Sequence, residues 1–190
     1  MKLARVAIAA LGLLLCSGGA YALPVTASFD VHANNDVWNF GNGDGTKVGD
    51  PGLATGIDLT AGDYFSVVVD DPADTWLFCG GADASCRVDA DGRRANGTFF
   101  GTYTDAGFSA HHGTLVGRIG AGGFFAIGTA GFFGTANATG QLHLYHWDHN
   151  ANNSETIAVT FTAPEPGAVA LLGLGLAAIS VVRRRRAGRI

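Results

Sequence analysis

Residues 155–162 read Glu-Thr-Ile-Ala-Val-Thr-Phe-Thr, and their pattern indicates the fold class. Its large apolar residues, Ile157, Val159 and Phe161, alternate with alanine and threonine. On an extended backbone this alternation turns one apolar face toward a core and one threonine-rich face toward water. The stretch is therefore predicted to be a β-strand packed on one side.

The same two-residue period recurs along the chain, between turn-forming clusters of Gly, Asn and Asp such as residues 41–45 and 89–92. No segment of ten or more residues between the termini carries a helical pattern. We therefore expect an all-β protein, an antiparallel jelly-roll sandwich of two packed sheets. The predicted strands are residues 25–31, 53–59, 64–69, 98–103, 114–119, 123–127, 142–147 and 155–162.

Residues 1–22 have the organisation of a signal peptide. A basic N-terminal region and an apolar run at residues 6–15 precede a cleavage site that contains the small residues Ala20 and Ala22. We expect an N-terminal signal helix that signal peptidase removes, leaving a mature chain that begins at Leu23.

Residues 164–190 form a second terminal signal with three parts. A Pro-Glu-Pro tripeptide precedes an apolar run at residues 167–182, and four consecutive arginines follow. As a transmembrane helix the run would extend about 24 Å, at about 1.5 Å per residue, and the arginines would keep the C-terminus in the cytoplasm. The tripeptide and the basic cluster consist of Pro164, Glu165, Pro166, Arg183, Arg184, Arg185 and Arg186.

This tail resembles the PEP-CTERM sorting signal of Gram-negative bacteria that make exopolysaccharide, a family also called the ice-binding protein C-terminal domain. The resemblance implies that a membrane-embedded exosortase cuts the chain near Pro-Glu-Pro. It also implies a protein that is anchored in the inner membrane before processing and lies at the cell surface or in the extracellular matrix afterwards. The alternative is a single-pass tail anchor, which needs no Pro-Glu-Pro.

Residues 23–163 form one predicted domain with an acidic character. The domain holds 15 acidic and five basic side chains, a formal charge of −10, whereas the whole chain carries −4. This charge argues against nucleic acid as a partner, and against binding acidic polysaccharide or anionic lipid through charge alone. The negative charge is compatible with divalent cations, and the alternative, favoured for most of these carboxylates, is that they serve only solubility.

Two cysteines, Cys79 and Cys86, remain once the signal peptide is removed. In an oxidising compartment we predict that they form a disulfide, which closes a small loop and adds at most about 2.5 kcal/mol. A zinc site on this pair is disfavoured because no further cysteine or histidine lies at ligand spacing beside it.

The segment richest in chemistry is residues 142–154, Leu-His-Leu-Tyr-His-Trp-Asp-His-Asn-Ala-Asn-Asn-Ser. Asp148, Asn152 and Asn153 follow the end of a predicted strand. Calcium prefers six to eight oxygen ligands at about 2.4 Å, and Asp, Asn and backbone carbonyls supply them. The alternative is a hairpin loop in which asparagine serves only to adopt left-handed conformations.

Five segments occur in order within residues 50–161, and together they resemble the galactophilic-lectin-like (PA-IL-like) module, a calcium-dependent bacterial lectin with a jelly-roll fold. The resemblance implies calcium bound by Asp148, Asn152 and Asn153, with a backbone carbonyl from residues 149–151 and another from Thr75. The lectin's His and Gln sugar contacts have no counterpart at residues 89–98, so calcium is better supported than galactose. The five segments are residues 56–63, 113–120, 125–128, 142–144 and 148–154.

Together these patterns predict an exported, non-enzymatic binding protein with calcium-dependent carbohydrate binding in the exopolysaccharide matrix. The expected partners are exosortase, signal peptidase and extracellular polysaccharide, with no nucleic acid. Neither Gly-x-Ser-x-Gly nor His-Glu-x-x-His occurs to indicate catalysis. His143, His146 and His149 recur every three residues, but a zinc site shared by them is disfavoured because His143 and His146 would point to opposite faces of a strand. The alternative function is a structural or adhesion protein of the matrix without sugar binding.

Overall fold

The computed structural model describes residues 24–38, 52–78, 84–149 and 152–164, and these contain twelve β-strands and one 3-10 turn, Ala84–Cys86. Residues Val25–Ala163 make one compact unit. The strands are β1 Val25–His32, β2 Leu53–Leu59, β3 Tyr64–Val69, β4 Trp76–Leu77, β5 Arg87–Val88, β6 Thr102–Asp105, β7 Phe108–His111, β8 Thr114–Ile119, β9 Phe125–Ala126, β10 Phe132–Thr135, β11 Gly140–Trp147 and β12 Thr156–Ala163.

Eight of these strands form two antiparallel four-stranded sheets. One sheet has the order β1-β12-β3-β10 and the other β2-β11-β8-β9. When these eight strands are numbered consecutively, the orders become 1-8-3-6 and 2-7-4-5, which is the arrangement of a jelly roll. The predicted all-β antiparallel fold is therefore confirmed.

The core lies between the sheets and follows the alternation in the sequence. On β12, Ile157, Val159 and Phe161 are buried, while Ala158 and Thr160 between them are partly exposed. On the neighbouring strand β3, Phe65 and Val67 are buried in the same core, and the ring of Phe65 stacks on that of Phe161 at 5.9 Å. The period of two thus places one face of each strand against the core.

Strand β11 is buried on both faces near its C-terminal end. On the outer face, Tyr145 and Trp147 pack with Trp38 in a second apolar cluster. The β6–β7 hairpin covers this cluster, and the Trp147 indole nitrogen donates a hydrogen bond to the carbonyl of Tyr103 at 2.9 Å. The end of β11 is therefore enclosed between the sandwich core and an outer aromatic layer.

Two of the predicted strands are shorter than expected. Of residues 98–103, only the last two lie in a strand, because residues 94–98 form a turn in which Thr98 N donates to Asn96 Oδ1 at 3.0 Å. Residues 123–127 contain only the two-residue strand β9. The sequence pattern did not predict β4, β5, β7 or β10, which are two to four residues long.

The two predicted terminal helices, the signal helix and the transmembrane segment at residues 167–182, lie outside the described residues. Within the described ranges, no helix has the length and apolar character needed to cross a membrane.

Candidate functional site

The candidate site begins where β11 leaves its sheet. The pairing of β11 with β8 ends at Trp147 opposite Thr114, and Gly113 N donates to the carbonyl of Trp147 at 3.0 Å. Asp148 is the next residue, and it is only 1 % exposed. A carboxylate is thus placed at the end of a strand that is buried on both faces.

The two oxygens of Asp148 face different partners. Oδ1 accepts a hydrogen bond from the backbone N–H of His149 at 2.7 Å and lies 3.1 Å from Nδ1 of His112. Oδ2 accepts from Nδ2 of Asn153 at 2.8 Å. Burial alone would raise the pKa of Asp148, but the bonds from His112, Asn153 and His149, with the nearby His146, lower it below the usual value. The carboxylate is therefore charged at neutral pH.

His112 is placed beside Asp148 by the β6–β7 hairpin. Its backbone N–H donates to the carbonyl of Gly101 at 3.1 Å. The ring of Tyr103 stacks on the His112 ring at 5.4 Å with 17° between the planes, and the ring of Phe78 lies 5.7 Å away. Two aromatic side chains thus restrict the orientation of this imidazole.

His149 completes a group of three potential metal ligands. Its Nδ1 lies 3.4 Å from Asp148 Oδ1, and its side chain is 51 % exposed. One ligand atom from each of His112, Asp148 and His149 lies within 4.8 Å of the other two. We call these three residues the His-Asp cluster.

His146 lies behind the cluster in the core. It is fully buried, and its ring meets the ring of Trp76 edge to face at 4.3 Å. Burial lowers the pKa of His146 to about 4, with an opposing effect from the charge of Asp148. His146 is therefore neutral at physiological pH. His143 stacks instead beside Tyr145 on the outer face, so the two histidines do point to opposite sides.

The predicted calcium ligands are brought together in part. Asp148 and Asn153 are in contact, and Asn152 is exposed beside them. The hydroxyl of Thr75 accepts a hydrogen bond from Arg87 at 3.1 Å. Strand β4, next along the chain, pairs with Ser154, so Thr75 and the Asn loop belong to neighbouring segments. Residues 150 and 151 lie outside the described ranges.

Sequence reasoning missed His112 as a member of this site. It lies 36 residues before Asp148 in the chain, and only the path of the β6–β7 hairpin brings them together. The only sequence feature that could have indicated it is the pair His111-His112, which lies just before the predicted strand at residues 114–119.

A separate groove of about 520 Å³ lies beside the β6–β7 hairpin. Its wall includes the ring of Phe99, which is 40 % exposed and stacks on His111 at 3.7 Å with 15° between the planes. Polar side chains, among them Arg93 and Ser109, also line it. The groove therefore combines an aromatic surface with hydrogen-bonding groups.

The remaining predicted sites fall mostly outside the described residues. Cys86 is disulfide-bonded, but Cys79 is not among the described residues, so the pairing of the two stays a prediction. Ala20 and Ala22 also lie outside these residues. Of the sorting signal, only Pro164 is described, and it is exposed.

Comparison with known proteins gives similar solved structures and one sequence motif. None of the curated proteins compared with this chain matches it. Among solved structures, a chain described as "EclA N-terminal domain; PllA-like lectin" is similar, with 18% identity and a TM-score of 0.48. The alignment covers 75% of this chain and 98% of that one.

Residues 162–186 match the PEP-CTERM protein-sorting motif. This confirms the sorting signal predicted from the Pro-Glu-Pro tripeptide and the arginine cluster. The motif is that of an exported protein that is anchored at the membrane before exosortase processes it. The chain thus carries an antiparallel jelly-roll domain, followed in sequence by a PEP-CTERM sorting motif.

Proposed function

We propose that this protein is an exported binding protein of a Gram-negative cell envelope, whose jelly-roll domain binds carbohydrate in a calcium-dependent manner. The observation that carries the proposal is the contact between the charged carboxylate of Asp148 and the side chain of Asn153 at the end of β11. The sorting motif supports it, because exosortase substrates act outside the cytoplasm. After release by signal peptidase and exosortase, the domain would act at the cell surface or in the exopolysaccharide matrix.

The side chains around Asp148 Oδ2 could supply oxygen ligands for calcium. Asp148 supplies a buried, charged oxygen, and Asn153 lies at hydrogen-bonding distance from it. The Asn153 amide now turns Nδ2 toward the carboxylate, so calcium binding would require a 180° rotation that presents Oδ1. Asn152 and backbone carbonyls from residues 149–151 and Thr75 would supply further oxygens.

The groove beside the β6–β7 hairpin supports carbohydrate as the ligand class. Its volume of about 520 Å³ lies in the range typical of small-molecule sites. His111 covers one face of the Phe99 ring, and the part of Phe99 that stays exposed offers an aromatic surface for a sugar, while Arg93 and Ser109 offer hydrogen bonds. The net charge of −10 favours a neutral saccharide over an acidic one.

Thermal unfolding of the exported protein tests the calcium part of this proposal. Calcium at about 100 times its dissociation constant would stabilise the native state by about 2.7 kcal/mol, a rise of several degrees in Tm. Asn152→Ala should reduce that rise, because it removes a predicted ligand at an exposed position. Asn34→Ala, at another exposed asparagine outside the loop, is the matched control. An identical wild-type Tm in EDTA and in millimolar calcium would contradict the calcium site.

A further inference from the structure

We propose that the His-Asp cluster of His112, Asp148 and His149 is a site for a transition-metal dication of the zinc type. This inference goes beyond the proposed calcium-dependent function and does not depend on it. It concerns the Oδ1 side of Asp148, whereas the calcium ligands would gather on the Oδ2 side.

The separations between the ligand atoms suit a small ion. Around a tetrahedral zinc with bonds of about 2.0–2.1 Å, neighbouring ligand atoms are about 3.3 Å apart. Asp148 Oδ1 lies 3.1 Å from His112 Nδ1 and 3.4 Å from His149 Nδ1. The ligand atoms of the two histidines lie within 4.8 Å of each other, so the two imidazoles would move closer together for all three atoms to reach one ion.

The chemistry of the donors also favours a transition metal. Two imidazole nitrogens and one carboxylate oxygen are typical ligands of Zn²⁺, Ni²⁺ and Cu²⁺. Calcium prefers oxygen ligands and would gain little from the two imidazoles. The two oxygens of Asp148 therefore face different groups. Oδ1 faces imidazole nitrogen, and Oδ2 faces the side-chain amide of Asn153.

The cluster is partly preorganised by the residues around it. The rings of Tyr103 and Phe78 restrict the imidazole of His112. Asn153 and the backbone N–H of His149 fix the carboxylate of Asp148. Such supporting contacts reduce the entropic cost of metal binding and orient the ligands.

The site would keep one coordination position open. It has three protein ligands, and His149 lies at the surface with half of its side chain exposed. Three protein ligands and an open position leave room for water or for a group from a bound molecule. Without a metal, the two imidazoles would only hydrogen-bond to the carboxylate, and this is the alternative that the experiment must exclude.

The test is isothermal titration calorimetry of Zn²⁺ into the exported protein after treatment with EDTA and its removal. We expect one zinc ion per chain, and a loss of affinity of at least about tenfold in His149→Ala. His149 is exposed, so this variant should fold normally. The matched control is His111→Ala, which removes the histidine adjacent to His112 in sequence but outside the cluster.

A second readout is the visible absorption of the Co²⁺-loaded protein, whose bands should be lost in His112→Ala and His149→Ala and kept in His111→Ala. Asn152→Ala should leave zinc binding unchanged, which separates this site from the proposed calcium site. The proposal is overturned if the wild type binds no zinc. It is also overturned if His149→Ala binds zinc as tightly as the wild type, or if His111→Ala weakens binding equally.

Discussion

The free energy of unfolding should decrease as the pH is lowered from neutral to mildly acidic, because of one buried histidine. His146 is fully buried against Trp76, and its pKa is lowered from 6.5 to about 4. The unfolded chain therefore binds a proton at His146 near pH 6.5, while the folded protein does so only near pH 4. The unfolded state binds more protons in that window, so stability decreases as the pH falls through it.

The size of the effect follows from the two pKa values. A shift of one pKa unit corresponds to about 1.36 kcal/mol, so the full loss below pH 4 would be roughly 3 kcal/mol. Between about pH 7.5 and about pH 5, proton linkage with these values gives a loss of about 2 kcal/mol. This window lies above the pKa of Asp148, which is lowered from its usual value of 3.8.

Urea denaturation in EDTA, at those two pH values, measures this loss. The wild type should lose about 2 kcal/mol more than His146→Leu, which removes the titrating group but keeps the site apolar. Contributions from distant groups are common to both proteins and cancel in the comparison, whereas those of His112 and Asp148, which interact with His146, cancel only in part. Equal losses in the wild type and in His146→Leu would show that protonation of His146 does not cause the loss of stability.

Three further predictions concern the turn, the termini and the cysteines. Ala106→Asn should stabilise the protein by about 0.5–1 kcal/mol in urea denaturation, because Ala106 has a φ of 47° in the β6–β7 hairpin, where asparagine is better tolerated; no gain would argue against strain at this turn. Mass spectrometry of the exported protein should find an N-terminus at Leu23 and a C-terminus near Pro166, and an uncut chain from cells with a working exosortase would contradict this. Alkylation without reduction should label neither Cys79 nor Cys86, whereas two labelled thiols per chain would show that the predicted disulfide is absent.

The sequence predicted the sandwich strands well where burial is one-sided. Strands β2 and β3 have the predicted bounds, and β12 is displaced by one residue, because the alternation of side chains shows which face meets the core. Strand β8 also has the predicted bounds, although both of its faces are buried. The two-residue strands β4 and β5 carry no such pattern. Their pairing places Trp76 opposite Val88 and depends on tertiary contacts.

The outer aromatic layer could not be predicted from the pattern. Tyr145 and Trp147 occupy positions that alternation assigns to the surface, but the β6–β7 hairpin and Trp38 cover them. These partners lie far away in the chain, so no local period indicates them. The same limit applies to the candidate site. Asp148 and Asn153 are five residues apart and were identified together, whereas His112 is 36 residues distant and was not.

Carbohydrate binding by the exported jelly-roll domain can be measured on a glycan array. The exported protein should bind neutral saccharides in millimolar calcium and lose that binding in EDTA. Asn152→Ala should bind more weakly than Asn34→Ala under the same conditions. Binding to no glycan, or equal binding with calcium and with EDTA, would contradict the account and favour a structural role in the matrix.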